Sequence, residues 1–148
     1  MLICLMGPSC TGKSTLASTL HASKNISVSA GKDYLRLAKS EGEARRLFSQ
    51  KLAEAVNSQE HLIYIVTEPD DLTLVPEGAF RIRCTAASET VRERFAARMR
   101  GTLPEAVAAM LDEKSRQWEK IPADLVLRTD DGRTAEALCA IVCEKTGL

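Results

Sequence analysis

Neither sign of charge is in excess in this chain: its 20 basic and 20 acidic residues cancel. It therefore lacks a global electrostatic footprint for nucleic acid or an anionic membrane, and the expected partner is a small molecule. No apolar run approaches the roughly 20 residues of a membrane span, and a phosphate-loop pattern beginning at residue 7 leaves no room for a signal peptide, so the expected location is cytoplasmic. No linker, repeat or low-complexity segment interrupts the 148 residues. One domain, 1–148, is expected, able to bury roughly 68 to 70 per cent of its unfolded surface without disulfides. The five cysteines are odd in number and contain no CxxC pair, and none lies at zinc-ligand spacing from a histidine, which excludes a zinc site and a disulfide framework. Cys4, Cys84, Cys139 and Cys143 lie in apolar segments and read as core. His21 and His61 have no recognisable partner and read as structural.

What is present begins with Gly7-Pro8-Ser9-Cys10-Thr11-Gly12-Lys13-Ser14, the phosphate-binding pattern GxxxxGK(S/T), directly after the apolar run Leu2–Met6. Gly7 and Gly12 open backbone angles closed to other residues, so successive N–H groups can converge on one anion, and the helix starting near Lys13 adds its positive end. In that pattern Lys13 reaches the β- and γ-phosphates, the Ser14 hydroxyl is a ligand of Mg²⁺, and Thr15 supplies a weaker second hydroxyl. Cys10 lies inside the same nest, either as a tolerated loop residue or as an oxidation-sensitive thiol.

Periodicity sets out the remainder. A helix is expected over about 13–23, strands over 25–29, 61–67, 79–85 and 123–129, and a short helix over 32–40. Ser40 and Glu43 form a capping box for a longer helix whose Ala44, Leu47, Phe48, Leu52 and Val56 share one face. Ser88 is expected to cap a helix to about Arg100, and Thr102 with Glu105 to cap another that ends at Pro122. Asp130-Asp131-Gly132 turns the chain into a last helix closed by Gly147. Strands alternating with helices predict an α/β fold with three layers, a parallel five-stranded sheet covered on both faces. Ligands in such sheets bind at the strand carboxyl ends, where the phosphate loop and the acidic run Glu68–Asp71 both fall.

Phosphoryl transfer also requires positive charge around the moving group. On the helix after residue 88, Arg94 and Arg98 fall beside the apolar face set by Val91, Phe95 and Met99, while Arg92 and Arg100 point away. Arg116, four residues after Asp112, is either an ordinary surface partner of that acid or the third member of an arginine clamp. Glu68 is a candidate to hold Mg²⁺ through water.

These residues carry a family resemblance. GPSCTGKST resembles the loop of the small nucleoside monophosphate kinases, guanylate kinases in wording, and the remainder is more similar to cytidylate and adenylate kinases. Ser29–Arg36 resembles the segment that opens their monophosphate site, Val91–Arg98 their lid helix with paired arginines, and Asp112–Arg116 followed by Ala123–Leu127 their post-lid helix and final strand. The resemblance implies a P-loop kinase with ATP and Mg²⁺ on residues 7–15 and Arg94, Arg98 and Arg116 around the transferred phosphate. It further implies a monophosphate site using Gly31, Tyr34 and Arg36. Arg36 falls one residue later than the family's spacing, the acceptor region (about 30–60) is reduced, and the lid shrinks to about residues 100–103. Two alternatives stand beside a nucleoside monophosphate acceptor: a shikimate- or gluconate-type metabolite kinase, and a nucleotide-binding regulatory module with weak hydrolysis only.

Overall fold

A computed structural model describes residues 1–148. The strands β1 (Leu2–Met6), β2 (Ser27–Ala30), β3 (Leu62–Val66), β4 (Phe80–Thr85) and β5 (Leu125–Arg128) form one sheet in the order β2-β3-β1-β4-β5. Every neighbouring pair is parallel. The expected three-layer α/β architecture is the observed one. Strands covered on both faces need apolar residues at successive positions, and β1 and β3 are buried along their whole length.

The pleat divides that apolar content into two cores. On one face Leu2, Cys4, Met6 and Tyr64 pack beneath Phe48 and Leu52 of α2 (Glu41–Val56) and Trp118 of α4 (Glu105–Glu119). On the other, Ile3, Leu5, Ile63 and Ile82 meet Leu16 and Leu20 of α1 (Lys13–Lys24) and Leu138 and Val142 of α5 (Ala135–Thr146). A third, small cluster joins Val91 of α3 (Ser88–Met99) and Leu111 of α4 to Cys10. The α3–α4 hairpin thus sits directly on the phosphate loop. Burial pushes the Cys4 thiol up to about 12 and the Cys84 thiol up to about 11, so both are inert packing groups. No helix is long and apolar enough to cross a membrane.

Several boundaries differ from the periodicity. Asn25 closes α1 in a left-handed conformation, φ 54°, with its N–H on His21 O at 2.9 Å, so β2 starts two residues later than expected. Residues 33–37 form a 3-10 turn instead of a helix over 32–40, because Ala38 is already extended and Ser40 accepts from Glu43 N as the cap of α2. Ser88 does not cap α3. Ala87 holds the cap position, and its amide is taken by Asp130 Oδ2 at 2.9 Å from the loop after β5. Pro104, fixed at φ −61°, precedes α4 in place of the expected Thr102 cap.

The central strand β1 is followed to one side by β2 and β3 and to the other by β4 and β5. The chain reverses direction across the sheet there, and a cleft opens above the carboxyl end of β1. The phosphate loop occupies that position.

Candidate active site

The loop after β1 has the backbone of an anion nest. Gly7 stands at φ 145°, and a Cβ there would lie 2.5 Å from Cys84 O, so only glycine lets the loop approach β4 this closely. Cys10 at φ 63° and Gly12 at φ 84° are both left-handed. Pro8 O accepts two hydrogen bonds, from Thr11 Oγ1 at 2.8 Å and from Lys13 Nζ at 2.6 Å. Lys13 is 5% exposed, and burial pushes its ammonium down to about 8, with the Arg98 charge pushing the same way. It is a buried cation whose hydrogen bond goes to a neutral carbonyl.

Two cavities meet at this loop. The smaller, about 120 Å³, is lined by Lys13, Ser14, Thr15, Thr67 and Arg98 with the loop residues Ser9, Cys10 and Gly12. No carboxylate borders it. The larger, about 410 Å³, runs from Cys10 and Thr15 over the apolar floor of Leu16, Ala135 and Leu138, between Arg94, Arg98, Thr129 and Arg133. A polyanion suits the first and a flat, partly apolar group the second.

The paired arginines of α3 have separate tasks. Arg94 Nη1 donates to Cys10 O at 3.0 Å and Thr129 Oγ1 at 3.2 Å, and its Nη2 to Thr129 O at 3.0 Å. Thr129 Oγ1 in turn donates to Thr11 O at 2.9 Å. Arg94 is therefore a strut between the phosphate loop and the loop after β5, and it also lines the larger cavity. Arg98, one turn further on, borders both cavities.

Other expected site residues lie elsewhere. Arg116 is exposed, bonded to Glu113 at 2.8 Å, and borders neither cavity. Its expected partner Asp112 pairs instead with Arg92 across the α3–α4 hairpin. Glu68 Oε2 accepts Lys114 Nζ of α4 at 2.8 Å and does not border the nest, whereas Thr67, one residue earlier, does. The expected metal ligand is thus engaged by a cation. Tyr34 is 3% exposed and stacks on Phe48, centroids 5.1 Å apart, so its ring belongs to the core and is not free for a base. Arg36 is exposed and borders neither cavity. Gly31, at φ 51°, accepts Tyr64 OH on its carbonyl at 2.8 Å.

Thr67, Thr129 and Arg133 line the cavities without having been singled out. Their signal was positional: all three follow the carboxyl ends of strands, where a parallel sheet collects its ligand contacts. Asp130 belongs to the same loop. It accepts Ala87 N, Thr90 Oγ1 at 3.0 Å and Arg128 Nε at 2.7 Å, and these bonds, the amide first, hold its carboxyl down to about 2.

No protein-family model matches the chain, and no curated protein matches it. Solved structures do. Shikimate kinase from Bacteroides thetaiotaomicron superposes with a TM-score of 0.66 at 14% identity, covering 100% of this chain and 99% of that one. A gluconokinase from Sinorhizobium meliloti gives 0.60 at 15%, covering 98% and 94%. The YorR protein of Bacillus subtilis, solved in complex with phosphorylated GDP, gives 0.62 at 21%, covering 100% and 96%. The chain has the fold of the P-loop kinases.

Proposed function

We propose that this protein is an ATP-dependent phosphotransferase acting on a hydroxyl group of a small, soluble metabolite. The observation that carries the reading is the acid-free nest of Lys13, Ser14, Thr15 and Arg98, opening directly into a cavity of nucleoside dimensions. The triphosphate lies on the loop amides of residues 7–15, Lys13 neutralises the β- and γ-oxygens, and the base lies over Leu16 and Leu138. Ser14 would supply one hydroxyl oxygen to the ion of a magnesium nucleotide, with Thr15 and Thr67 lining the same cavity; no carboxylate borders the nest, so phosphate oxygens and water would complete the ion's shell. Mg²⁺, when bound, supplies charge neutralisation between phosphate oxygens.

In transfer, the acceptor oxygen bonds to the γ-phosphorus, the bond to the β-phosphate oxygen breaks, ADP leaves, and the hydroxyl proton is released. Arg98 is the side chain on α3 available to the charge that moves. Arg94 holds the loop that positions it. The whole chain acts as one domain, with a short lid near residues 100–103 and the acceptor over residues 30–60.

A hydroxyl acceptor is favoured over a nucleoside monophosphate by the second half of the cleft. A second phosphate would need an arginine fork, yet Arg36 and Arg116 border neither cavity at the phosphate loop, and Tyr34 is packed in the core. The fold neighbours named shikimate kinase and gluconokinase support the same direction. The nucleoside monophosphate reading retains support from the wording of the loop and from the neighbour solved with phosphorylated GDP. Screening hydroxy acids, sugar acids and nucleoside monophosphates with Mg-ATP, following ADP release and phosphorylated product, separates the readings. Transfer to a hydroxyl compound is expected. Transfer to monophosphates alone overturns the choice of acceptor, and ATP hydrolysis unaffected by any acceptor points to the regulatory module.

A further inference from the structure

Behind the phosphate loop, on the α4 side of the sheet, lies a groove that the nucleotide site does not use. The side chains of β4 and β5 alternate across the sheet: Ile82, Cys84 and Leu127 enter the core beneath α1 and α5, which turns Arg83, Thr85, Val126 and Arg128 to the α4 side. In register, Arg83 is opposite Val126 and Thr85 opposite Arg128, so the two arginines are diagonal neighbours. α4 does not cover this corner, and Val126 is 48% exposed. A cavity of about 330 Å³ remains, walled by Arg83, Thr85, Ser88, Ser115, Glu119 and Arg128, with Pro8 at its back.

Arg83 is the anomaly within it. It occupies an interior position of a strand in a parallel sheet, where apolar residues are the rule. Its Nε is enclosed and has no hydrogen-bond partner. It takes part in none of the chain's ion pairs. Its terminal nitrogens, unlike Nε, are not enclosed and make no hydrogen bond within the chain, so they are the donors open to an anion in the groove. Arg128 uses Nε on Asp130, itself already held by Ala87 N and Thr90, and keeps its terminal nitrogens available. The walls thus present two guanidiniums and three hydroxyls against one carboxylate, Glu119.

We propose that this groove binds a small oxyanion, a phosphate ester or a carboxylate, at a site separate from the nucleotide nest. Arg83 donates through its fork, Arg128 supplies the second charge, and Ser88, Ser115 and Thr85 complete the hydrogen bonds. The site stands on its own and does not rest on the phosphotransfer reading.

Trp118, the chain's one tryptophan, borders the groove and is an intrinsic reporter. Its Nε1 donates to Thr67 O, next to the nest, so the nest is first saturated with a non-hydrolysable ATP analogue and Mg²⁺. The full chain is then titrated with inorganic phosphate and, separately, with malonate, using chloride at matched ionic strength as the control. A saturable fluorescence change is expected, with dissociation constants raised roughly tenfold or more in Arg83→Met and less in Arg83→Lys. Affinity for the ATP analogue is expected to be unchanged. A response to phosphate alone marks a phosphate ester as the ligand, and one to malonate alone a carboxylate. Absence of a saturable response to both ions, an equal response to chloride, or unchanged constants in Arg83→Met would overturn the site. Should Arg83→Met unfold, Arg128→Met at the exposed neighbour must weaken the same ions, and failure to do so has the same consequence.

Discussion

The two halves of the cleft are built differently. On the β4–β5 side, three separate loops are bound to one another by backbone-directed hydrogen bonds: Arg94 to Cys10 O and Thr129 O, Thr129 to Thr11 O, Asp130 to Ala87 N. On the β2–β3 side two such bonds, Tyr64 OH to Gly31 O at 2.8 Å and Trp118 Nε1 to Thr67 O at 3.1 Å, are joined by side-chain ion pairs with exposed members, Lys32 to Asp71 at 3.1 Å and Lys114 to Glu68 at 2.8 Å. Hydrogen bonds to backbone carbonyls fix a geometry in the absence of ligand, whereas exposed ion pairs exchange readily with water. The β4–β5 half is thus tied more densely in the absence of ligand, and under the proposed function it is the half that receives the nucleotide.

Substitutions that break this contrast rank by the charge they remove. Lys13→Met is expected to lower phosphoryl transfer by at least roughly 10²–10³-fold, measured as ADP release with the preferred acceptor. The same change is expected to stabilise the ligand-free chain at pH 7 by roughly 1–2 kcal/mol in urea unfolding, since it removes a buried charge. The two effects together distinguish a functional cation from a structural one. Arg98→Ala should reduce turnover by about 10²-fold with nucleotide affinity little changed, while Arg92→Ala and Arg116→Ala, removing exposed ion pairs, should each alter it by less than about threefold. Equal losses in Arg98→Ala and Arg116→Ala under single-turnover conditions would restore the clamp.

The pH dependence has a defined sign. Lys13 is lowered to about 8 in the folded chain from an ordinary 10.5, so the folded state binds fewer protons than the unfolded state between those values. Its contribution to stability therefore rises with pH through that window. Nucleotide binding runs the other way, requiring the ammonium, and should take up a proton above about pH 8, visible by calorimetry in buffers of different ionisation enthalpy. Arg94→Ala should cost about 1–3 kcal/mol of stability and weaken nucleotide binding together, because it frees two loops at once. The smallest effect is expected for Lys32→Ala on the acceptor side, under about 1 kcal/mol in unfolding, its partner Asp71 being 3% exposed but Lys32 itself open to water.

The phosphate loop and the order of strands and helices were legible because each depends on local rules. Gly7, Gly12 and Lys13 stand at fixed spacing in one continuous segment, and the runs Leu2–Met6 and 61–67 carry the apolar density of buried parallel strands. The caps of α3 and α4 were misread for a common reason: Ser88 and Thr102 satisfy the local pattern, but a distant carboxylate, Asp130, and the fixed angle of Pro104 determined where the helices begin. Arg94, Arg98 and Arg116 look alike in sequence. Helical phase separated Arg92 from Arg98 but said nothing of the carbonyls of Cys10 and Thr129 that engage Arg94.

The sequence by itself determined a glycine-opened loop of the phosphate-binding pattern at the first strand-to-helix junction and a parallel sheet around it, since backbone freedom at glycine and the burial of apolar runs act over a few residues. Tertiary structure alone decided which arginine faces the nest, that Glu68 pairs with Lys114 while Thr67 borders the nest, that Tyr34 belongs to the core, and that Arg83 stands unpartnered beside Arg128. Those outcomes depend on which residues, distant along the chain, compete for the same charge or the same space.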